Sequence, residues 1–204
     1  MPVAQQPAES PTTHHWEPEP APTPDLERAV RMGHGKYFEI ATIAHNLSEE
    51  ADAGVKAGTI ISIVGNDLPN VARQDYPWAD CLEKWMQRGA TVRYFAIQPS
   101  EKALERLAEL AGKAGAGKLQ VRRLSPDVTR HEWAGKLAQL WRTFHFVVFE
   151  NEPQFWAEGY HPAVFTEARD CFYFGPQDVA AVPHYAHCLE QFNLMFEQHG
   201  EVLV

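Results

Sequence analysis

A histidine, an acid and a glycine follow one another at seven-residue intervals in the most apolar stretch of this sequence. They are His145, Glu152 and Gly159. A histidine can act as a nucleophile or carry a proton, and a nearby carboxylate can orient it. The same histidine can also be a core residue whose ring is hydrogen-bonded to the backbone or to a neighbouring acid, because buried polar groups are normally satisfied. The two interpretations differ in whether the protein turns over a substrate.

The spacing resembles the motif of the phospholipase D superfamily, His-x-Lys-x4-Asp followed by Gly-Ser. The resemblance covers about fifteen residues and implies that His145 is the phosphoryl-accepting nucleophile, with Glu152 at the aspartate and Gly159 at the glycine. Val147 stands where the family has the lysine that holds the phosphate, and Tyr160 stands where it has the serine. Phosphoryl transfer depends on fixed positive charge around the phosphate oxygens. The resemblance therefore implies a degenerate, non-catalytic member.

Polar side chains also follow the predicted buried strands. In open α/β sheets, ligands bind at the carboxyl ends of the strands, so these side chains are candidates for a small-molecule pocket. The alternative is that they are ordinary loop residues and helix caps. The candidate ligand-binding residues are Asn66, Asp67, Gln98, Ser100, Ser125, Asp127, Gly159 and His161.

A metal site is the weaker hypothesis. His184 and His187 are spaced to share one helix face, and zinc accepts such ligands. His145, Glu158 and His161 are the other residues that could contribute. The ten histidines are scattered, and no compact motif such as His-Glu-x-x-His occurs. The sequence therefore predicts neither a metal nor a cofactor.

The elements that carry these residues alternate between strands and helices. This order predicts an α/β fold, with a mixed, mainly parallel sheet flanked by helices on both faces, as the phospholipase D resemblance also implies. A hairpin that begins with Phe144 to Phe149 adds antiparallel strands. The predicted strands are 59–64, 91–97, 119–124, 144–149, 154–158 and 170–174, and the predicted helices are 25–32, 36–53, 78–88, 100–111, 129–141 and 183–199.

Composition limits the remaining possibilities. The chain has 204 residues and 45% apolar residues, which predicts one domain at 25–204. Residues 1–24 are rich in proline and lack Lys and Arg, which predicts a disordered tail. Three cysteines without paired spacing indicate reduced thiols and a cytoplasmic location. No apolar run is long enough to insert into a membrane.

The formal net charge of −9 argues against a nucleic-acid partner, because contacts to the phosphate backbone need clustered Lys and Arg. The leading hypothesis is a non-catalytic regulatory module that binds a protein partner, with inhibition as one mode of action. Two alternatives stay open: a phosphodiesterase or nuclease-type enzyme that uses His145, and a small-molecule sensor. Single-domain members of the family pair, so the resemblance is also compatible with a homodimer.

Overall fold

The computed structural model describes residues 23–39, 54–66, 71, 78–160 and 169–203. Within these ranges, strands and helices alternate through the middle of the chain, as predicted. The strands are β1 (Lys36–Glu39), β2 (Ile60–Gly65), β3 (Thr91–Ala96), β4 (Leu119–Leu124), β5 (Phe144–Phe149), β6 (Gln154–Tyr160), β7 (Arg169–Phe174) and β8 (Gly200–Val202). The helices are α1 (Thr23–Arg31), α2 (Trp78–Gln87), α3 (Glu101–Ala114), α4 (Glu132–Leu140) and α5 (Pro183–His199).

The eight described strands form one mixed sheet in the order β1-β7-β6-β5-β2-β3-β4-β8. Only β2, β3 and β4 are parallel neighbours, and the other five described pairs are antiparallel. The prediction of a mainly parallel sheet was therefore wrong. Too few residues separate β5 from β6 and β6 from β7 for a parallel crossover, and β5 itself lies antiparallel to β2.

The predicted helix from residue 36 was also wrong at its start. Residues Lys36–Glu39 form β1, which pairs antiparallel with β7 at one edge of the described sheet. Tyr37 lies opposite Phe172, and the two rings meet edge to face at a centroid distance of 5.7 Å. Pairing with a distant strand outweighs the weak helical pattern of so short a segment. The rest of that predicted helix lies outside the described residues.

Two apolar core layers lie on the two faces of the sheet. The first core layer packs α2 and α3 against one face, with Trp85, Leu107 and Phe149 fully buried. The second core layer packs α1, α4 and α5 against the other face, with Phe95 and Phe192 fully buried. The prediction of helices on both faces is confirmed. Alternate residues of β2, β3, β5, β6 and β7 supply the two layers, which is why β2 and β5 read as nearly continuous apolar runs.

The predicted limits of the domain and the tail remain predictions. Helix α1 begins at Thr23, two residues before the predicted start of the domain, and most of the predicted tail lies outside the described residues. Cys81, Cys171 and Cys188 are all buried. No helix in the described part of the chain is long and apolar enough to cross a membrane.

Candidate functional site

His145 lies at the end of the sheet that is formed by the carboxyl ends of the parallel strands. On β5 it precedes Phe146, which pairs with Val64, so His145 lies beside the carboxyl end of β2. On its other side it pairs with the backbone of Glu158 on β6, and Gly159 pairs with Phe144. The structure therefore brings His145 and Gly159 together. His145 is half-buried, and its Nε2 atom is buried.

Val147 occupies the position that the motif reserves for lysine. It points to the same face of the sheet as His145, because alternate strand residues share a face. Its cross-strand neighbours are Ile63 on β2 and Trp156 on β6, both 2% exposed. Val147 itself is 8% exposed and belongs to the first core layer. This position is a packed part of the core, so it offers an anion no positive charge and no room.

Glu152 lies at the opposite end of β5 from His145. It belongs to the turn between β5 and β6, where its carboxylate forms an ion pair with Lys56. The backbone N–H of Glu150 in the same turn donates to the carbonyl of Ile60, the first residue of β2, at 2.9 Å. Five strand residues at about 3.4 Å each separate the two ends of the sheet by about 17 Å along the strand direction. The structure therefore does not bring Glu152 and His145 into one site.

The described members of the predicted pocket lie at the same end of the sheet as His145. Asn66 follows β2, and its carbonyl accepts a hydrogen bond of 3.0 Å from the N–H of Gln98 after β3. The Oδ1 atom of Asn66 is buried and has no hydrogen-bond partner among the described residues. A buried amide oxygen without a donor is costly, so this atom is a candidate ligand contact. Two further predicted members, Asp67 and His161, lie outside the described residues.

The two serines at this end of the sheet, Ser100 and Ser125, act as helix caps. Ser100 Oγ accepts from the N–H of Ala103 at 3.3 Å and so caps α3. Ser125 Oγ accepts from the N–H of Asp127 at 3.3 Å and caps a short 3-10 helix at Pro126–Arg130. Asp127 is ion-paired with Arg130 at 3.1 Å. These three residues therefore play the structural role that the sequence left open for them.

Replacing Ser100 by alanine is expected to lower the free energy of unfolding by about 1 kcal/mol, because the first turn of α3 loses its side-chain acceptor. Ser100→Asp is the matched control, since aspartate caps helices as well as serine does. Urea denaturation monitored by circular dichroism measures both variants. If the aspartate variant loses as much stability as the alanine variant, capping is not the role of Ser100.

The described residues contain no group of three or more His, Cys, Asp and Glu side chains arranged to hold a metal ion. His184 and His187 both lie on α5, where His187 Nε2 is 2.8 Å from Gln191 Nε2. His184 and His187 line a small cavity between α4 and α5, together with apolar residues of α4 and β5. The arrangement gives the metal hypothesis no support within the described part of the chain.

A polar network lies in the second core layer, and no sequence motif pointed to it; we call it the Arg93 network. Arg93 on β3 is 14% exposed in its side chain. Its Nη1 donates to Asn193 Oδ1 at 2.8 Å and to Glu150 Oε1 at 3.4 Å. Ser62 Oγ donates to the same Glu150 oxygen at 2.9 Å. The network joins β2, β3 and the end of β5 to α5.

Aromatic rings complete the surroundings of Arg93. Its guanidinium lies 5.0 Å from the ring centroid of Phe192 and 4.7 Å from that of Phe196, both on α5. Such cation–π contacts strengthen when water is excluded. Tyr185 donates to the carbonyl of Phe149 at 3.0 Å, and burial, followed by the charge of Glu150, raises the pKa of its hydroxyl. The only sequence signal for this network was one polar residue within each of two apolar strands.

His145→Ala is expected to lower the free energy of unfolding by about 1–2 kcal/mol, because a half-buried ring with a buried nitrogen is removed from a packed edge. Thermal melting and urea denaturation measure the loss. An unchanged stability would show that the ring contributes nothing to packing and would favour a purely chemical role for His145.

The fold defines an α/β protein with a mixed sheet between two helical layers. No protein-family model matches the sequence, and no curated protein matches it significantly. Among solved structures, it is similar to TrmBL2, an archaeal chromatin protein whose structure shows a novel mode of DNA binding. The TM-score is 0.51 and the identity is 14%, over 87% of this chain and 57% of that chain.

A second solved structure is the polyphosphate kinase from Porphyromonas gingivalis, with a TM-score of 0.44 and 12% identity. The match covers 89% of this chain and 31% of the kinase, and it is too distant to carry an argument. The chain thus spans little more than half the length of TrmBL2 and a third of the kinase. At this identity, the likeness to TrmBL2 shows the fold alone.

Proposed function

We propose that the chain is a non-catalytic, phospholipase D-like module that regulates a protein partner by binding to it. The observation that carries this proposal is the packing of Val147 between Ile63 and Trp156. A phosphodiesterase of this family needs a cation two residues after its histidine, and here that position belongs to the apolar core. The separation of Glu152 from His145 argues in the same direction.

The net charge of −9 supports a protein partner over a nucleic acid. The DNA binding named for TrmBL2 belongs to that protein, and the charge argument stands on its own for this chain. Titration of the chain with duplex DNA at low salt tests it. We expect no saturable binding, and saturable binding that weakens steeply with salt would overturn the argument.

Affinity capture tests the proposed partner. The full-length chain serves as bait in a lysate of its own host, and an unrelated acidic α/β protein of similar size is the control bait. We expect one abundant protein that stays bound at high salt and is absent from the control, because a specific apolar interface survives screening. A bait that returns nothing above the control contradicts the partner-binding function.

A small-molecule sensor is the second candidate, and the buried Oδ1 of Asn66 favours it. A ligand that donates a hydrogen bond to this oxygen would stabilise the folded state by mass action. Asn66→Ala is the discriminating variant. If a ligand raises the melting temperature of the original chain but not of this variant, the predicted pocket around Asn66 is a binding site.

A further inference from the structure

A pair of histidines joins the last helix to the last strand of the described sheet. His199 is the final residue of α5 and immediately precedes β8. Its ring lies 4.8 Å from the ring of His131 and 5.1 Å from that of Trp133, centroid to centroid. His131 precedes α4, and its carbonyl accepts from the N–H of Gly135 at 2.8 Å. The two histidines therefore connect α4, α5 and β8.

The backbone around His199 is tightly fitted. Its carbonyl accepts a hydrogen bond of 2.8 Å from the N–H of Ser125, the residue that follows β4. A side-chain carbon on the next residue, Gly200, would lie 2.6 Å from the carbonyl oxygen of Phe196 and 2.9 Å from Arg122 Cδ. Residue 200 therefore has no room for a side chain, and the chain passes from His199 directly into β8.

Four acids near His199 along the surrounding elements each form an ion pair with a cation. Glu201 on β8 pairs with Arg123 at 2.9 Å, and Asp127 after β4 pairs with Arg130 at 3.1 Å. Glu197 on α5 pairs with Arg122 at 3.0 Å. At the start of α4, Glu132 pairs with Lys136 at 2.9 Å. A proton added to the His199 ring therefore finds no unpaired carboxylate among these four acids.

The helix ends act in opposite directions on the two rings. His131 lies at the amino end of α4, where the helix dipole opposes a positive charge. His199 lies at the carboxyl end of α5, where the dipole favours one. His199 is only 9% exposed, and burial, followed by repulsion from His131, lowers its pKa below the ordinary value. The net effect is that the folded state disfavours protonation of His199.

We propose that the contacting rings of His131 and His199 form a pH-sensitive latch that releases β8 from β4 when His199 is protonated. The sign follows from the lowered pKa. Stability is present above the unfolded pKa of about 6.5, and it is lost as the pH falls below that value, because the unfolded segment binds the proton more readily. Release would uncover the edge of β4, whose carbonyl at Val121 accepts from the N–H of Leu203 at 2.9 Å.

Amide hydrogen exchange of the full-length chain, followed by NMR at about pH 7.5 and about pH 5.5, tests the latch. The Leu203 amide reports β8, and the Thr91 amide, which donates to Thr59 at 2.8 Å, reports the centre of the sheet. After correction for intrinsic rates, we expect the protection of Leu203 to fall by up to about tenfold at the lower pH while that of Thr91 holds, because an unfolded histidine pKa of about 6.5 sets that limit at about pH 5.5.

Two variants assign the effect to the histidines. His199→Phe keeps an aromatic ring against Trp133 and cannot be protonated, so the fall in Leu203 protection should disappear. His131→Ala removes an exposed ring and its charge, so the fall should shrink. Equal protection of Leu203 at both pH values, a parallel loss at Thr91, or an undiminished fall in both variants would each overturn the proposal.

Discussion

Val147→Lys, which places a lysine at the position where the phospholipase D motif has one, is expected to lower the free energy of unfolding by about 3 kcal/mol or more without producing turnover. The ammonium would enter a position that is 8% exposed and lies between Ile63 and Trp156. A charge placed in an apolar layer without a partner carries a desolvation cost of this size. Urea denaturation measures the loss, and hydrolysis of a generic phosphodiester measures turnover.

Val147→Met is the control for that variant. Methionine has a similar length but no charge, and it should cost about 1–2 kcal/mol through overpacking alone. The difference between the two variants isolates the effect of charge. If lysine is tolerated as well as methionine, the position is open to solvent, and the argument that the fold excludes a phosphate at this point fails.

The second large effect is expected at the Arg93 network. Arg93→Met should lower the free energy of unfolding by about 2–4 kcal/mol, because it removes charge-assisted hydrogen bonds and leaves Glu150 in a poorly solvated position. The carboxylate of Glu150 is 20% exposed, so water replaces the lost cation only in part. Chemical denaturation with circular dichroism and fluorescence detection measures the change.

Two comparisons make this prediction specific. Arg106→Met removes an ion pair with Glu109 on the surface of α3 and should change stability by less than about 0.5 kcal/mol. Adding Glu150→Gln to Arg93→Met should restore part of the loss, because the uncompensated charge disappears. A loss at Arg93 no larger than that at Arg106 would show that the network does not hold α5 to the sheet.

The strands of the centre were predictable because each is an apolar run that ends in a turn residue. Strand β2 and the hairpin of β5 and β6 appeared at the expected places. The position of β5 beside β2 was not predictable, since it depends on contacts between residues far apart in sequence. Strand β8 has three residues, too few for any periodic signal.

The site was predictable in a similar, partial way. The sequence motif included His145 and Gly159, and the sheet does bring these two residues together. It also included Glu152, which lies at the opposite end of the strands. The spacing of residues along the sequence does not show where a turn reverses the direction of the chain. The Arg93 network was hidden because its members lie 57 and 100 residues apart, and only the register of the sheet and the course of α5 bring them into contact.

Hydrolysis of bis(p-nitrophenyl) phosphate tests the central claim most directly. The full-length chain and His145→Ala are compared at equal concentration, with and without Mg²⁺, Ca²⁺, Mn²⁺ and Zn²⁺. A non-catalytic module gives a rate equal to the buffer blank for both proteins in every condition. Turnover by the original chain that His145→Ala abolishes would contradict the account and establish His145 as a working nucleophile.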